Sequence, residues 1–319
     1  MKKYIYLLAT IAITSSCNSD DVITEELKDH YRAKTETSVA EQTIVFEYTP
    51  APGQFINETK TGGFTGNETT HEAAAAYAEQ RMKSGAFVSL GGFGGYMVVG
   101  FDHSIDNTGS YDFGITGNSF KGSSEPGVVW VMQDENGNGK PDDSWYELKG
   151  SETGKETTIQ NYSVTYYRPS APQQPVKWTD SEGNSGEVDY LKAFHQQDYY
   201  YPLWIKEDSY TLTGTCLEGR NYDQSGNGTY WVNAEYDWGY TDNFSEIDRL
   251  SNDDNANAGA NANYFKISNA IDEKGNPVDL KYIDFIKVQT GCNTKSGWLG
   301  ENSTEVFGFF DYSMIQSEL

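Results

Sequence analysis

From Gln42 onward the chain is written in short runs rich in β-branched and aromatic residues, each closed by Gly, Asn or Asp. This punctuation limits the fold more than any other feature. The runs are Thr43–Tyr48, Phe87–Leu90, Tyr96–Phe101, Val128–Gln133, Trp145–Lys149, Tyr162–Tyr167, Tyr210–Thr215, Tyr230–Tyr236, Tyr264–Ile267, Phe285–Gln289 and Val306–Phe310. Strands this short, separated by turn signals, pack as antiparallel sheets, so the expected fold class is all-β, an antiparallel β-sandwich or jelly roll. One segment departs from the pattern. Thr70 offers an N-cap, the Ala-rich His71–Lys83 favours helix and Gly85 marks its end, so one short helix is expected near the N-terminal side. Pro169–Glu187, with its prolines, and Ser251–Asn263, low in apolar content, are expected as long loops, the second a mobile one. Neither has the composition of a domain linker, and no repeat of 20 to 50 residues is present, so residues 42–319 are expected to form one β-rich domain.

What precedes that domain reads as an address. Lys2 and Lys3 are followed by an apolar stretch, Tyr4 to Ile13, too short to span a bilayer, and then by Thr14, Ser15, Ser16 and Cys17. An ordinary signal peptide that happens to contain a cysteine is the competing reading. The place of Cys17, where a lipoprotein signal peptidase would leave it as the new N-terminus, favours lipidation there. Residues 1–16 are thus expected as a lipoprotein signal peptide and 17–41 as an acidic, lipid-anchored tether. Asp20, Asp21, Glu25 and Glu26 resemble the acidic export signal that sends lipoproteins of some Gram-negative gut bacteria to the outer face of the outer membrane. No other apolar run approaches the roughly 18 residues needed to span, so attachment is expected through lipid alone.

Asp and Glu outnumber Lys and Arg by 47 to 23, a formal charge of −24, and so oppose general nucleic-acid binding, which needs clustered cations. The 15 Phe, 7 Trp and 23 Tyr exceed what a disordered acidic chain carries. The sharpest local motif runs from Asp134 to Asp143, DENGNGKPDD. Asp134, Asn136 and Asn138 would offer side-chain oxygens, Lys140 a backbone carbonyl, and Asp142 or Asp143 the closing carboxylates of a structural calcium site. The twelfth position is Trp145 and the flanks read as strands, so this is no EF-hand; a metal-free Asn/Gly turn favours the same residues. Gly91, Gly92, Gly94 and Gly95 do not match a phosphate loop and read as a tight strand connection with positive φ. Tyr199, Tyr200, Tyr201, Trp204, Trp231, Tyr236, Trp238 and Tyr240 cluster with Asp237, Asp242 and Asn243. Rings with polar edges suit sugars or large planar ligands, although half or more of the group should be core. No nucleophile elbow or HExxH is present, His30, His71, His103 and His195 lack metal-ligand spacing, and no carboxylate pair is singled out, so a non-enzymatic role is expected. Cys216 and Cys292 are expected either as one disulfide or as buried thiols.

Four segments carry a resemblance: SLGGFGGYMVVGFDHSIDN (89–107), YDFGITGNSF with EPGVVWVMQDENGNGKPDDSWYELKGS (111–151), YWVNAEYDWGYTDN (230–243) and IDFIKVQTGCNTKSGWLGENSTEVFGFFD (283–311). Together they look like the BtuH-type cobalamin-binding surface lipoproteins and related cell surface proteins of gut Gram-negative bacteria, over roughly residues 43 to 311. The resemblance implies a β-rich module that captures vitamin B12 or a related corrinoid at the cell surface and passes it to a TonB-dependent transporter of the outer membrane. It transfers no ligand contacts. On the aromatic argument alone, Trp204, Trp231, Trp238 and Tyr240 are expected to supply apolar contact and Asp237, Asp242 and Asn243 to bond corrin amides. A glycan-binding surface lipoprotein of a polysaccharide-uptake system is the alternative, and a purely structural or adhesive domain a third reading.

Overall fold

The computed structural model describes residues 30–250 and 261–315. The signal peptide, Cys17 and its acidic neighbours, and residues 251–260 of the expected mobile loop lie outside these. The described strands are, in chain order, β1 (Ile44–Thr49), β2 (Val88–Ser89), β3 (Tyr96–Asp106), β4 (Phe113–Gly117), β5 (Gly127–Met132), β6 (Tyr146–Leu148), β7 (Ile159–Tyr167), β8 (Val176–Asp180), β9 (Ser185–Val188), β10 (Ser209–Cys216), β11 (Asn221–Asp223), β12 (Trp231–Asn233), β13 (Asn261–Phe265), β14 (Ala270–Ile271), β15 (Tyr282–Thr290), β16 (Glu305–Val306) and β17 (Gly308–Asp311). All named pairings are antiparallel. They give a six-stranded sheet ordered β1-β3-β15-β5-β6-β14, a four-stranded sheet β10-β7-β8-β9, a three-stranded sheet β13-β4-β17, and two pairs, β11-β12 and β16-β2.

Alternation along the longest strands creates the core. Met97 and Val99 of β3, Val129 and Val131 of β5, and Ile286 and Val288 of β15 are fully buried and share one cluster with Phe113, Ile115 and Phe309 of the three-stranded sheet. Burying each such side chain contributes about 1.5–3 kcal/mol. Helix α1 (His71–Lys83) closes the β1 end of this core with Ala74, Ala78 and Met82. The Thr70 hydroxyl caps it by accepting from the Ala73 amide, as its sequence predicts. Glu79, tied to Lys83 at 2.6 Å, also accepts the Val45 amide at 3.1 Å where β1 bulges between Val45 and Glu47. A second helix, α2 (Tyr312–Ile315), ends the described chain. Among the described residues no helix is long and apolar enough to cross a membrane.

Three expectations need correction. Pro169–Glu187 is not one long loop, because β8 and most of β9 lie within it, joined by the turn Asp180-Ser-Glu-Gly183-Asn184. There Asp180 Oδ1 accepts the Glu182 and Asn184 amides while Asn184 Nδ2 donates to Oδ2. Asp272-Glu-Lys-Gly275-Asn276 repeats the same bonds, so the D-x-x-G-N spacing is a turn device in its own right. Likewise Asn261–Asn263 open β13 instead of continuing a loop. The tether also ends earlier than Glu41. Ser104 and Arg32 exchange backbone and hydroxyl bonds, and the Arg32 guanidinium meets the fully buried Asp284 carboxylate at 3.0 Å and the Phe101 carbonyl at 2.7 Å. Lys34 pairs with buried Asp311 at 2.9 Å, which also faces the buried His103. Cationic side chains find acids on the body, so residues 30–41 belong to the folded unit.

The glycine-rich turn does what its sequence requires. Gly91 and Gly94 have φ of 72° and 83°, and a Cβ on Gly95 would lie 1.8 Å from the Leu90 carbonyl. Of the alternatives for Cys216 and Cys292, the structure has buried free thiols and no disulfide.

Candidate functional site

Residues directly opposite across a ladder share a face. The register therefore sets Glu47, Val98, Lys287, Trp130 and Glu147 in one row across β1, β3, β15, β5 and β6, with Thr49, Tyr96, Gln289 and Val128 in the next. Val128 and Trp130 are covered by a small second core with Leu217, Tyr236, Tyr240 and Cys292. Glu47, Thr49, Tyr96, Val98, Lys287 and Gln289 floor a groove of ≈ 550 Å³, walled by Trp204, Ile205 and Glu207, by Tyr210–Thr213 of β10, and by Pro141 and Trp145.

The groove walls are held rigidly. Arg168 lies 4.6 Å over the Tyr201 ring and donates to the carbonyls of Ile205 and Glu207. Tyr201 donates to the Glu207 carbonyl as well, and the Tyr210 hydroxyl is tied to the Pro50 carbonyl at 2.8 Å. His71, at the start of α1, meets the Trp204 ring edge-on at 4.4 Å. Tyr96 donates to Glu47 at 2.9 Å; burial first, then that carboxylate, push the phenol up to about 12.

Lys287 is the groove's central cation. It is half-buried, with Nζ 4.5 Å from the Trp130 ring centre and 5.2 Å from that of Trp145. Burial brings its pKa down to about 8, against the opposing pull of Glu47 and Glu147. Among the described residues none forms a hydrogen bond or ion pair with it. Glu147 is itself pushed up by burial, while Thr215 and Gln160 bond it and counter that effect.

The seven residues expected to line a single cleft do not meet in one place. Trp204 lines the groove. Trp231 sits on β12 over Gly297, and half-buried Trp238 lines a different cavity of ≈ 290 Å³ with Tyr111, Lys149 and Tyr264. Tyr240 is buried against Gly150, its hydroxyl accepting from the Glu152 amide. Asp237 is exposed. Asp242 and Asn243 are completely buried and serve the backbone: Asp242 accepts the Asn118 and Glu305 amides, and Asn243 bonds both the amide and the carbonyl of Tyr236. Five of the eight clustered aromatics, Tyr200, Tyr201, Trp204, Tyr236 and Tyr240, are buried, in line with a mainly core role.

The Asp134–Asp143 loop ends at the groove edge, where Pro141 and Trp145 line it. The carboxamides of Asn136 and Asn138 point at Asp142 and Asp143, with contacts of 2.9–3.0 Å. Their oxygens accept the Asn138 and Lys140 amides, so a hard cation between the carboxylates would require both carboxamides to turn over and give up those bonds. Asp134 and Lys140 have other work. Asp134 accepts the amides of Gly137, Asn138 and Gly139, and the Lys140 carbonyl accepts from Asp142. His30 closes over the loop, bonding the Glu135 carbonyl at 2.9 Å.

A second acidic group went unseen in the sequence. Glu125, Asp242 and Glu305 bring carboxylate oxygens within 4.8 Å of one another. Burial pushes all three up, Glu305 to about 7; the charge of Glu305 adds to the rise at Glu125 and Asp242, and that of Glu301 to the rise at Glu305. Three carboxyls this close either share protons or neutralise a cation. Asp242 holds the left-handed φ of 53° that brings it there.

No protein-family model matches the chain, and no curated protein sequence matches it.

Proposed function

We propose that this chain is a non-enzymatic capture protein of the bacterial surface, anchored through lipid on Cys17 to the outer membrane. It takes up vitamin B12 or a related corrinoid and hands it to a TonB-dependent transporter. The observation that carries the reading is the open groove, where Tyr96, Trp145, Trp204 and Tyr210 stand around a sheet surface. Large flat ligands with polar rims bind through such walls, and a corrinoid brings its own chemistry, so the protein need only hold it. The groove takes one face of the ligand and leaves the remainder for the transporter.

Glycan binding is the second reading, favoured by Glu47 and Glu207 in the same groove as acceptors for sugar hydroxyls. Calcium in the Asp134–Asp143 loop, held by Asn136, Asn138, Asp142 and Asp143, belongs to either reading and would fix the Trp145 wall. Calorimetric titration with cyanocobalamin decides between ligand classes. We expect saturable binding at micromolar ligand and co-elution of a pink chromophore. Retardation in polysaccharide gels without cobalamin uptake would replace the first reading by the second.

A further inference from the structure

We infer that Lys287 determines the specificity of the groove, donating through Nζ to an uncharged oxygen acceptor, an amide carbonyl or a hydroxyl, on a ligand whose flat face lies against Trp145. The inference rests on the groove being the ligand site. Its ground is an ammonium group in the groove that has no acceptor among the described residues. Lys287 is half-buried, and its contacts run to the Trp130 and Trp145 ring faces, which attract a cation but accept no conventional hydrogen bond. In a groove lined by ring faces the ammonium is less well hydrated than in open water, so a ligand acceptor that replaces its water makes a stronger hydrogen bond there.

The surroundings select the kind of acceptor. Glu47 and Glu147 stand in the same row two strands to either side of Lys287, about 10 Å away at ordinary strand spacing, and Glu207 lines the wall. An anionic ligand gains one cation but meets the carboxyl groups of Glu47 and Glu207 in the groove. A neutral carbonyl or hydroxyl gains the same hydrogen bond without that repulsion. Trp145, beside Lys287 and half-buried, offers its indole face to the ring that carries the acceptor.

The test combines amine labelling with titration of the full-length protein. Trinitrobenzenesulfonate at pH 8, read by peptide mass spectrometry, should modify Lys287 in the free protein and be blocked by cyanocobalamin. An unreactive Lys287 would overturn the inference. Lys287→Met should weaken cyanocobalamin binding at least tenfold, and an unchanged affinity overturns the inference while leaving the corrinoid reading intact. Wild-type affinity should decline as pH rises through about 8, where the lysine loses its proton. Glu47, Glu207, His71, Tyr96 and Tyr210 also face the groove, and Glu147 stands in the same row of the sheet beyond its lining; Lys287→Arg, charged throughout, separates their titration from the lysine's by giving a flat profile. If a soluble oligosaccharide binds in place of cobalamin and Lys287→Met weakens it tenfold, the corrinoid reading falls and the inference stands. Failure of both probes to bind overturns both.

Discussion

At the scale of single residues, the carboxyl cluster makes the sharpest claim. Glu125, Asp242 and Glu305 are held as acids to higher pH in the folded chain than in the unfolded one, by burial first and then by neighbouring carboxylates, Glu305 for Glu125 and Asp242 and Glu301 for Glu305. The folded state therefore binds more protons between the ordinary carboxyl range and about 7. The stabilising contribution is complete below about pH 4.5 and is lost as pH rises through that window. In EDTA, urea midpoints should fall between pH 5 and 7.5. Glu305→Gln should flatten the slope and raise stability at pH 8 by about 1–3 kcal/mol. Parallel wild-type and variant curves would show that Glu305 takes up no proton on folding in this range. None of this was legible in the sequence, because the three acids lie far apart in the chain and meet only through the β16 backbone and the left-handed turn at Asp242. The same holds for Lys287. Its place amid Phe285, Ile286 and Val288 hinted at a lysine in a buried strand, but only the register shows which face it takes.

At the scale of elements, the sequence was most informative where the signal is local. Thr70, His71–Lys83 and Gly85 mark α1 at the observed positions, and nearly every expected run contains a strand, because alternation and turn residues act over a few neighbours. Val306–Phe310 divides into β16 and β17, which pair in different sheets, and such a division depends on distant partners. The aromatic site was misplaced for a related reason. Chain proximity grouped Trp231, Trp238 and Tyr240 with Trp204, whereas the groove draws Tyr96, Trp145, Tyr210 and Lys287 from four separate segments. The Asp134–Asp143 loop offers a test of the calcium proposal, since Pro141 and Trp145 connect it to the groove. Calcium should raise the melting temperature of the EDTA-treated protein by several degrees, and EDTA should weaken ligand binding about tenfold by freeing Trp145. Asp142→Asn should diminish both effects. Identical melting curves with and without the metal, with no calcium by elemental analysis, would remove calcium from the loop.

At the scale of the whole molecule, charge and topology work together. A chain of −24 has few cations to spend, and Arg32 and Lys34, from the segment expected to be a free tether, reach Asp284 and Asp311, both fully buried. Asp284 also accepts the Asp134 amide, so one carboxylate joins the N-terminal arm, the central strand β15 and the root of the metal loop. Taking away the arm would leave Asp284 with Ser104 and one backbone amide as donors, and would uncover β3 at Ser104, beyond its pairing with β1. Removing one partner of a buried pair costs about 3–5 kcal/mol when nothing replaces it; the remaining donors and the 35% exposure of Arg32 reduce this to about 2 kcal/mol. A chain beginning at Gln42 should therefore unfold at lower urea than one beginning at His30, and Arg32→Ala alone should reproduce most of the loss. Asp284→Asn in the Arg32→Ala background should recover part of it, because it removes the charge left without a counterion. Equal midpoints for the two chain lengths would mean that the arm lies on the body without holding it.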